Sequence, residues 1–590
     1  MSDMRPFISL HPLCRPAGAW LLALAALWPV QSFAQSSNQA SVQASIQSSN
    51  QSSDHSQAIS IQVDASRSAG SLPPVWAWIG YDEPNNTYGD AGIYTLKQLA
   101  QSGTHTVHAR THNLLTTGDG TTALKWGSTN AFTRDANGKP VYDWSIVDRI
   151  FDTYRATGIK PLVEIGFMPQ ALSTSPIPYQ HHWPQTFATG WSYPPVNYDE
   201  WAELVYRWVQ HMVQRYGARE VSTWQWEVWN EPDIFYWHGT AQEYFKLYDY
   251  TVTAVRRALP RAHVGGPAST SPASEHAAAF LNAFLDHCLH GINAATGKKS
   301  VPLDFVSFHA KGRAALIDNH VQLSIATQLR DIDAGFAIVE SFRALRDLPV
   351  LITESDPESC AACDVASHPE NGYRLTSQYA SYEAEVLNGS LALAQRHHIN
   401  LQGNLTWAFT FPGQPLFAGL RAFSTHDIDL PLMNAFRMFG KLNDKRIEAV
   451  SSGALNMDDM LSAGVRDRTD VNVIATRSAH QINILIWNYR DDAVPAVSQA
   501  IQLAVKGLPS GLHNVQLRQW RIDDTHSNAL AAWLAMNSPP DPSATQMQQL
   551  HDAGQLQLLD APQWISAEND MIDLNIDEPS QAVALLELSW

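Results

Sequence analysis

The chain of 590 residues carries 57 acidic against 39 basic side chains, a net charge of −18, with 45% hydrophobic residues and 20 tryptophans. That length and apolar content support a large core spread over more than one domain. The acidic balance argues against a nucleic-acid or anionic-membrane face, which needs clustered Lys and Arg, and suits a neutral ligand.

Arg5 and Arg15 bracket the start of a chain that then runs apolar from Ala17 to Val30 and on to Ser32-Phe33-Ala34, the layout of a cleaved secretory signal over 1–34. The apolar run is short for a bilayer span, which makes an uncleaved anchor the weaker alternative; export to the periplasm or medium is expected, with no membrane attachment after cleavage. Residues 35–58 are Ser, Gln, Asn and Ala with almost no large apolar side chain and predict a disordered tether. Ile59-Ser60-Ile61-Gln62-Val63 alternates and opens a leading strand, 59–74, expected to join a C-terminal β domain.

From 75 to 445 short apolar strands alternate with longer amphipathic helices, which predicts an α/β chain folded as a (β/α)8 TIM barrel. The strands fall at Val75–Gly80, Thr106–Thr111, Lys160–Phe167, Val221–Glu231, Val264–Ala268, Phe305–Ala310, Val350–Glu354 and Gly403–Phe409. The helices begin with one capped by Asp143 and ended by Gly158, and continue at Tyr198–Tyr216, Ala241–Leu259, Glu275–Leu289, Ile325–Leu345, Leu375–His398 and Leu432–Leu442. Over 446–590 the helical period gives way to alternating stretches that read as an accessory β-sandwich, interrupted near Pro539-Pro540-Asp541-Pro542 by an insertion. A structural buttress is the favoured role for this domain; Trp487, Trp520 and Trp564 leave a lesser carbohydrate-binding alternative. Once the signal is removed three cysteines remain. Cys360 and Cys363 could form a disulfide, stay as two thiols or make half a metal site, with no second pair to complete zinc coordination.

The densest signal is Trp224-Gln225-Trp226-Glu227-Val228-Trp229-Asn230-Glu231-Pro232. Pro232 cannot donate to a sheet ladder, so pairing is expected to stop there, with Glu231 at the carboxyl end of the fourth barrel strand, the rim where barrel chemistry is done. Val350-Leu351-Ile352-Thr353-Glu354 ends the seventh strand in the same way, and strands four and seven lie across the rim from each other. Two facing carboxyl groups are what glycoside hydrolysis requires. Asp356, next to Pro357, is a weaker rival to Glu354 because it is expected to lie beyond the strand end.

Several runs carry a family resemblance: Ile79-Gly80-Tyr81-Asp82-Glu83-Pro84-Asn85, Ala109 to Gly120 with its Arg110-Thr111-His112-Asn113-Leu114-Leu115 core, Gly190-Trp191-Ser192-Tyr193-Pro194-Pro195, Trp229-Asn230-Glu231-Pro232, Ser307-Phe308-His309 and Ile352-Thr353-Glu354. In this order they resemble glycoside hydrolase family 39, which contains β-D-xylosidases and α-L-iduronidases. The resemblance implies a retaining mechanism with Glu231 as general acid/base and Glu354 as nucleophile. It further implies that Asn230 binds the sugar 2-hydroxyl, that His112 and His309 are sugar-binding histidines at the ends of strands two and six, and that Trp407 floors the sugar subsite. Trp229 joins this set as a stacking surface.

One segment departs from the family pattern: acids expected just after Trp407 are absent, the nearest downstream being Asp427 and Asp429. An iduronide would need a cation for its carboxylate, for which Lys311 and Arg313 are candidates. The expected activity is therefore an exported retaining glycosidase releasing single sugars from oligosaccharides, β-D-xylose foremost. The alternatives are an α-L-arabinofuranoside or related substrate, or a non-catalytic carbohydrate-binding barrel. No metal or cofactor is implied, because a two-carboxylate mechanism needs none.

Overall fold

The computed structural model describes residues 58–179 and 190–590, so the expected signal and nearly all of the expected tether lie outside the described residues. A leading strand β1 (Ile59–Ser71) precedes the barrel. The barrel strands are β2 (Trp78–Tyr81), β3 (His108–Thr111), β4 (Lys160–Ile165), β5 (Gln225–Val228), β6 (His263–Ser269), β7 (Phe305–Lys311), β8 (Pro349–Asp356) and β9 (Asn400–Asn404). They pair in parallel in that order, and the ring closes where Gly80 N donates to Thr406 O (3.0 Å) and Asn404 N to Val75 O (2.7 Å).

Helices α1 (Asp90–Ala100), α2 (Ser145–Thr157), α3 (Tyr198–Tyr216), α4 (Ala241–Ala258), α5 (Glu275–His290), α6 (Ile325–Ser341), α7 (Ser377–Arg396) and α8 (Pro431–Gly440) surround it. Each presents an apolar stripe inward. On α2 the stripe is Val147, Ile150, Phe151 and Tyr154, and the helix stops at Gly158, whose φ of 84° suits a residue without Cβ. Trp144 rather than Asp143 occupies the α2 cap position, while Asp143 still accepts from Ser145 N (2.9 Å). Helix α1 is not among the helices expected from the sequence, and Gly92 lies within it. A Cβ there would come within 1.9 Å of Asn86 O, so close packing against the preceding turn demands the glycine.

The fourth strand is shorter than its sequence suggests. Val221 belongs to a helical turn, Ala218–Val221, and the ladder ends at Val228, before Asn230, Glu231 and Pro232. The cause is local: Trp229 turns to a left-handed φ of 73°. Strand β8 is longer than expected and includes Asp356.

The C-terminal strands are β10 (Lys445–Ser451), β11 (Asp470–Arg477), β12 (Gln481–Tyr489), β13 (Gln499–Lys506), β14 (Asn514–Ile522), β15 (Gln557–Leu558), β16 (Gln563–Ser566), β17 (Met571–Glu578) and β18 (Val583–Ser589). With β1 they form one curled sheet in the order β15-β14-β18-β12-β11-β10-β1-β13-β17, with β16 on β14. Its inner face buries Ile61, Val63, Ile484, Leu503 and Leu586. The insertion near Pro539 carries two helices, α9 (Ala529–Ala535) and α10 (Ala544–Gly554). Cys360 and Cys363 are joined by a disulfide, and Cys288 is buried in α5. Among the described residues no helix is long and apolar enough to cross a membrane.

Glu383 on α7 is buried, with Thr406 Oγ1 as the hydroxyl donor to its Oε2 (3.3 Å). Burial, reinforced by the charge of Asp356, pushes its carboxyl up to about 8. The unfolded chain would ionise this group near the ordinary glutamate value, so the folded state binds more protons between those limits and loses stability as pH rises through that window. Glu383→Gln is expected to raise the melting temperature more at pH 8 than at pH 5. Thermal melts of both proteins at the two values check this, and an equal or reversed difference would contradict it.

Candidate active site

The rim of the barrel is organised by a charge that cannot reach water. Arg110, next to last in β3, has no exposed side-chain surface. It donates through Nε to Glu227 Oε2 (2.5 Å), through Nη1 to Glu354 Oε1 (3.1 Å) and through Nη2 to Asn230 Oδ1 (3.0 Å), and Nη2 forms an ion pair with Glu164 Oε2 (2.9 Å). Strands β3, β4, β5 and β8 are thereby held by one planar fork, a task the point charge of a lysine could not perform. Sequence reasoning missed Arg110, Glu164 and Glu227 as members of the site. The available signal was three charged residues inside otherwise apolar strands, where burial requires a partner.

Beyond Val228 the chain bends through Trp229 (φ 73°) and Glu231 (φ 43°), a left-handed path unusual for residues other than glycine. The bend turns Asn230 and Glu231 into the cleft and Trp229 away from it. Trp229 is fully buried against Phe167, Trp201 and Trp237, and its Nε1 donates to Tyr236 O (2.9 Å). It is a core residue and not the stacking surface expected of it. Since Arg110 occupies the Asn230 carbonyl, the amide NH2 is the group left to donate to a ligand.

Glu231 Oε1 lies 2.9 Å from His309 Nδ1. His309 is fully buried behind it and outside the cleft lining, so the structure places this histidine as a support for Glu231 where a direct sugar contact was expected. An oxygen of Glu231, a ring nitrogen of His309 and an oxygen of Glu354 all lie within 4.8 Å of one another, and among the described residues this is the group with spacing that could hold a cation. Two cations of the protein itself already reach Glu354: Arg110 on Oε1 and Lys311, the last residue of β7, on Oε2 (2.7 Å).

Burial by itself would raise the Glu354 carboxyl. Lys311, with His309 and His112 beside it, outweighs that effect and holds the group well below the usual carboxylate range. Lys311 also bonds Asp356. Asp356 is fully buried, accepts from Trp407 N (2.8 Å) and pairs with Arg421 (3.0 Å), so it anchors the lysine and does not compete with Glu354 for the cleft.

His112 follows β3 directly and its Nδ1 sits 2.6 Å from Glu164. Burial opposes a charge there, but Glu164, with Glu354 and Asp82, pushes the ring up to about 9. The imidazole lies 4.3 Å from the Trp407 ring, and both line the cleft. The acids missing after Trp407 are not replaced from downstream, since Asp429 is buried with Arg437 (2.7 Å). Asp82, the residue after β2, is buried next to Trp407: it accepts from Trp407 Nε1 (3.1 Å) and from Lys125 Nζ (2.9 Å), and Lys125 lines the cleft. The neighbouring Glu83, pushed up to about 8 by burial and by Asp82, accepts from Lys125 N (2.7 Å).

The cleft measures about 690 Å³, within the range of sites for small organic ligands, and mixes apolar and polar surface. A parallel eight-stranded barrel with two carboxylates converging at the carboxyl ends of its strands defines a glycosidase. The chain belongs to glycosyl hydrolases family 39, whose family model matches residues 59–568. It is 27% identical over 427 residues to a β-xylosidase from Geobacillus stearothermophilus, covering 71% of this chain and 75% of that one. It is 25% identical over 512 residues to an α-L-iduronidase from Mus musculus, covering 83% and 75%. The fold matches a monomeric β-xylosidase from Caulobacter crescentus with a TM-score of 0.69 at 21% identity, covering 90% of this chain and 99% of that structure.

Two outcomes follow from the charge arrangement. Glu164 would keep His112 at 2.6 Å, whereas Glu227 has no other hydrogen-bond partner among the described residues, so Arg110→Met strands the buried Glu227 carboxylate and is expected to lower stability by about 3–5 kcal/mol, read by urea denaturation. Lys311→Met removes the cation that keeps Glu354 ionised. The Glu354 carboxyl then rises, and the acid limb of the kcat/KM pH profile is expected to move to higher pH. An unmoved limb would show that Lys311 does not set that ionisation.

Proposed function

We propose that this glycosidase hydrolyses its substrate with retention of configuration by double displacement. Glu354 attacks the anomeric carbon to form a covalent glycosyl-enzyme. Glu231 protonates the departing oxygen and then removes a proton from the water that hydrolyses the intermediate. The observation that carries this reading is the approach of the two carboxyl groups: oxygens within 4.8 Å suit the spacing of about 5–5.5 Å typical of retaining sites and not the roughly 6.5–9.5 Å that leaves room for water in inverting ones. The charge environments support the assignment, since Glu354 faces a guanidinium and an ammonium while Glu231 faces an imidazole. Asn230, His112 and Trp407 hold the glycone, Asn230 through its amide and Trp407 through its ring face.

The sugar we propose is β-D-xylose, released singly from oligosaccharides outside the cytoplasm. The xylosidase relatives and the signal-like start of the chain support this. A second reading, a glycoside whose sugar bears a carboxylate, has a specific observation in its favour: two lysines, Lys125 and Lys311, line the cleft, and the relatives include α-L-iduronidases. Lys125 is tied to Asp82 and Lys311 to Glu354 and Asp356, so each would have to share its charge with the ligand.

Initial rates on aryl β-D-xyloside, α-L-arabinofuranoside, β-D-glucoside and α-L-iduronide separate these readings, with Glu354→Ala as the blank. The xyloside is expected to dominate, and nuclear magnetic resonance is expected to show the first-formed sugar in the substrate's own anomeric configuration. Glu231→Gln is expected to lose about 10²–10⁴-fold on substrates with poor leaving groups. Full turnover by Glu354→Ala, or an inverted first product, would overturn the mechanism. A dominant iduronide rate would replace xylose by the acidic sugar.

A further inference from the structure

Of the basic side chains that line the cleft, Lys311 sets the ionisation of Glu354 and His112 holds the glycone, but Lys125 has no part in the two-carboxylate chemistry. Its position is nonetheless fixed by the residues around it. Lys125 has a left-handed φ of 56°, and its amide donates to Glu83 Oε1 (2.7 Å). Three residues on, Ser128 N donates to Asn85 Oδ1 (2.9 Å) and Asn85 Nδ2 donates back to Ser128 O (2.9 Å), while Thr129 N donates to Thr116 O (3.0 Å). At Gly127 a Cβ would lie 2.1 Å from Pro84 Cδ, so this loop presses against the turn that follows β2. A side chain with a long flexible stem is thereby aimed before any ligand arrives.

The Lys125 side chain is 8% exposed, and its Nζ donates to Asp82 Oδ2 (2.9 Å), the oxygen that also accepts from Trp407 Nε1 (3.1 Å). The ammonium therefore sits at the nitrogen edge of the indole that holds the glycone in the reading above. An ammonium carries three N–H donors, and among the described residues Asp82 supplies its one hydrogen-bond acceptor. Two donors of a nearly buried charge are left for whatever fills the cleft, and leaving them unmet is costly.

Where those donors meet the sugar follows from the carboxylates. The nucleophile Glu354 marks the anomeric carbon. His112 Nε2 lies between Glu354 Oε1 (3.5 Å) and Asp82 Oδ1 (3.7 Å), so Lys125, on the other oxygen of Asp82, stands on the far side of His112 from the nucleophile. The carbon across a pyranose ring from the anomeric one is C4. We propose that Lys125 is a specificity-determining residue that donates to the 4-oxygen of the sugar being released, with Asp82 and the edge of Trp407 fixing the ammonium in place. A hydroxyl at that carbon accepts from the lysine, whereas a bare methylene leaves its N–H groups unmet. The proposal rests on the hydrolase reading above.

The test is a double-mutant cycle in which one partner is the sugar: the aryl pyranoside that the wild type cleaves fastest and its 4-deoxy analogue, each with the wild type and with Lys125→Met. Removing either the 4-hydroxyl or the ammonium is expected to lower kcat/KM about 10–100-fold, and Lys125→Met is expected to lower it no more than about threefold further on the 4-deoxy substrate. Lys125→Gln, whose amide keeps one N–H for Asp82, holds the comparison open if the methionine variant does not fold, and melting curves decide which variant is read. Losses that multiply on the 4-deoxy substrate would show a lysine that only supports the cleft wall and would overturn the proposal. A wild type indifferent to the missing hydroxyl, or active on furanosides alone, would overturn it too, each result leaving the hydrolase reading intact. Failure of the wild type on every aryl glycoside would sink both.

Discussion

A single buried guanidinium sets the terms for the whole rim. Glu164 and Glu227 sit directly opposite each other on neighbouring strands, a pairing of like charges that is destabilising in isolation. Arg110 on the next strand reaches both, and its remaining N–H groups reach Glu354 and Asn230. Desolvating that many charges is offset only when the geometry is good and every donor is used. The register of β3, β4, β5 and β8 is therefore not free to slip. A one-residue shift would send these side chains to the other face and leave them unpaired in an apolar wall.

Two carboxylates that begin chemically alike are made different by what faces them. Glu354 receives Arg110 on one oxygen and Lys311 on the other, and Lys311 is itself pinned by Asp356, which Arg421 and the Trp407 amide hold in turn. Glu231 has a neighbour of another kind, a histidine with no exposed surface. Arg110 reaches Glu354 from outside the cleft lining, whereas Lys311 lines the cleft beside it. A lysine free to move in the cleft would bring its own hydration shell into the sugar's space. The tether through Asp356 removes that freedom.

The elements legible in the sequence are those governed by local chemistry. Eight strands and the positions of Glu231 and Glu354 follow from β-branched runs that end on an acid, and α2 follows from its apolar stripe and its closing Gly158. What could not be read is set by contacts distant in sequence. Glu164 and Glu227 become tolerable only through Arg110, and Asp82 reaches Trp407 only because β2 and the segment after β9 close the ring. Trp229 was misplaced for a subtler reason: alternation along an extended strand would point it to the rim, but its left-handed φ ends the strand and rotates it into the core. His309 was assigned to the sugar on position alone, whereas the neighbouring strand end places Glu231 in front of it.

The C-terminal domain packs against the segment that follows Trp407, and its own tryptophans differ in their surroundings. Trp487, one of the three that suggested sugar binding, is fully buried and donates to Glu385 on α7 (2.6 Å), Trp520 is half-buried under Lys441, and Trp564 is 67% exposed. The helices of the insertion, α9 and α10, pack Ala529, Leu550 and Trp533 against Leu416, Phe417 and Ile428, in the segment that follows Trp407. Asn434 of α8 donates to Ser527 O (3.0 Å) and Gly554 O (2.8 Å), and Gln555 to Asp429 (3.1 Å). Loops are the mobile part of a barrel enzyme, yet they carry its specificity. Here the segment after Trp407 is clamped from outside, while the Cys360–Cys363 disulfide and the carbonyls gathered by Arg374 brace the loop that brings Ser359 to the cleft. A rim built this way takes its shape before substrate arrives, so the binding energy of a sugar need not be spent on ordering the loops that hold it.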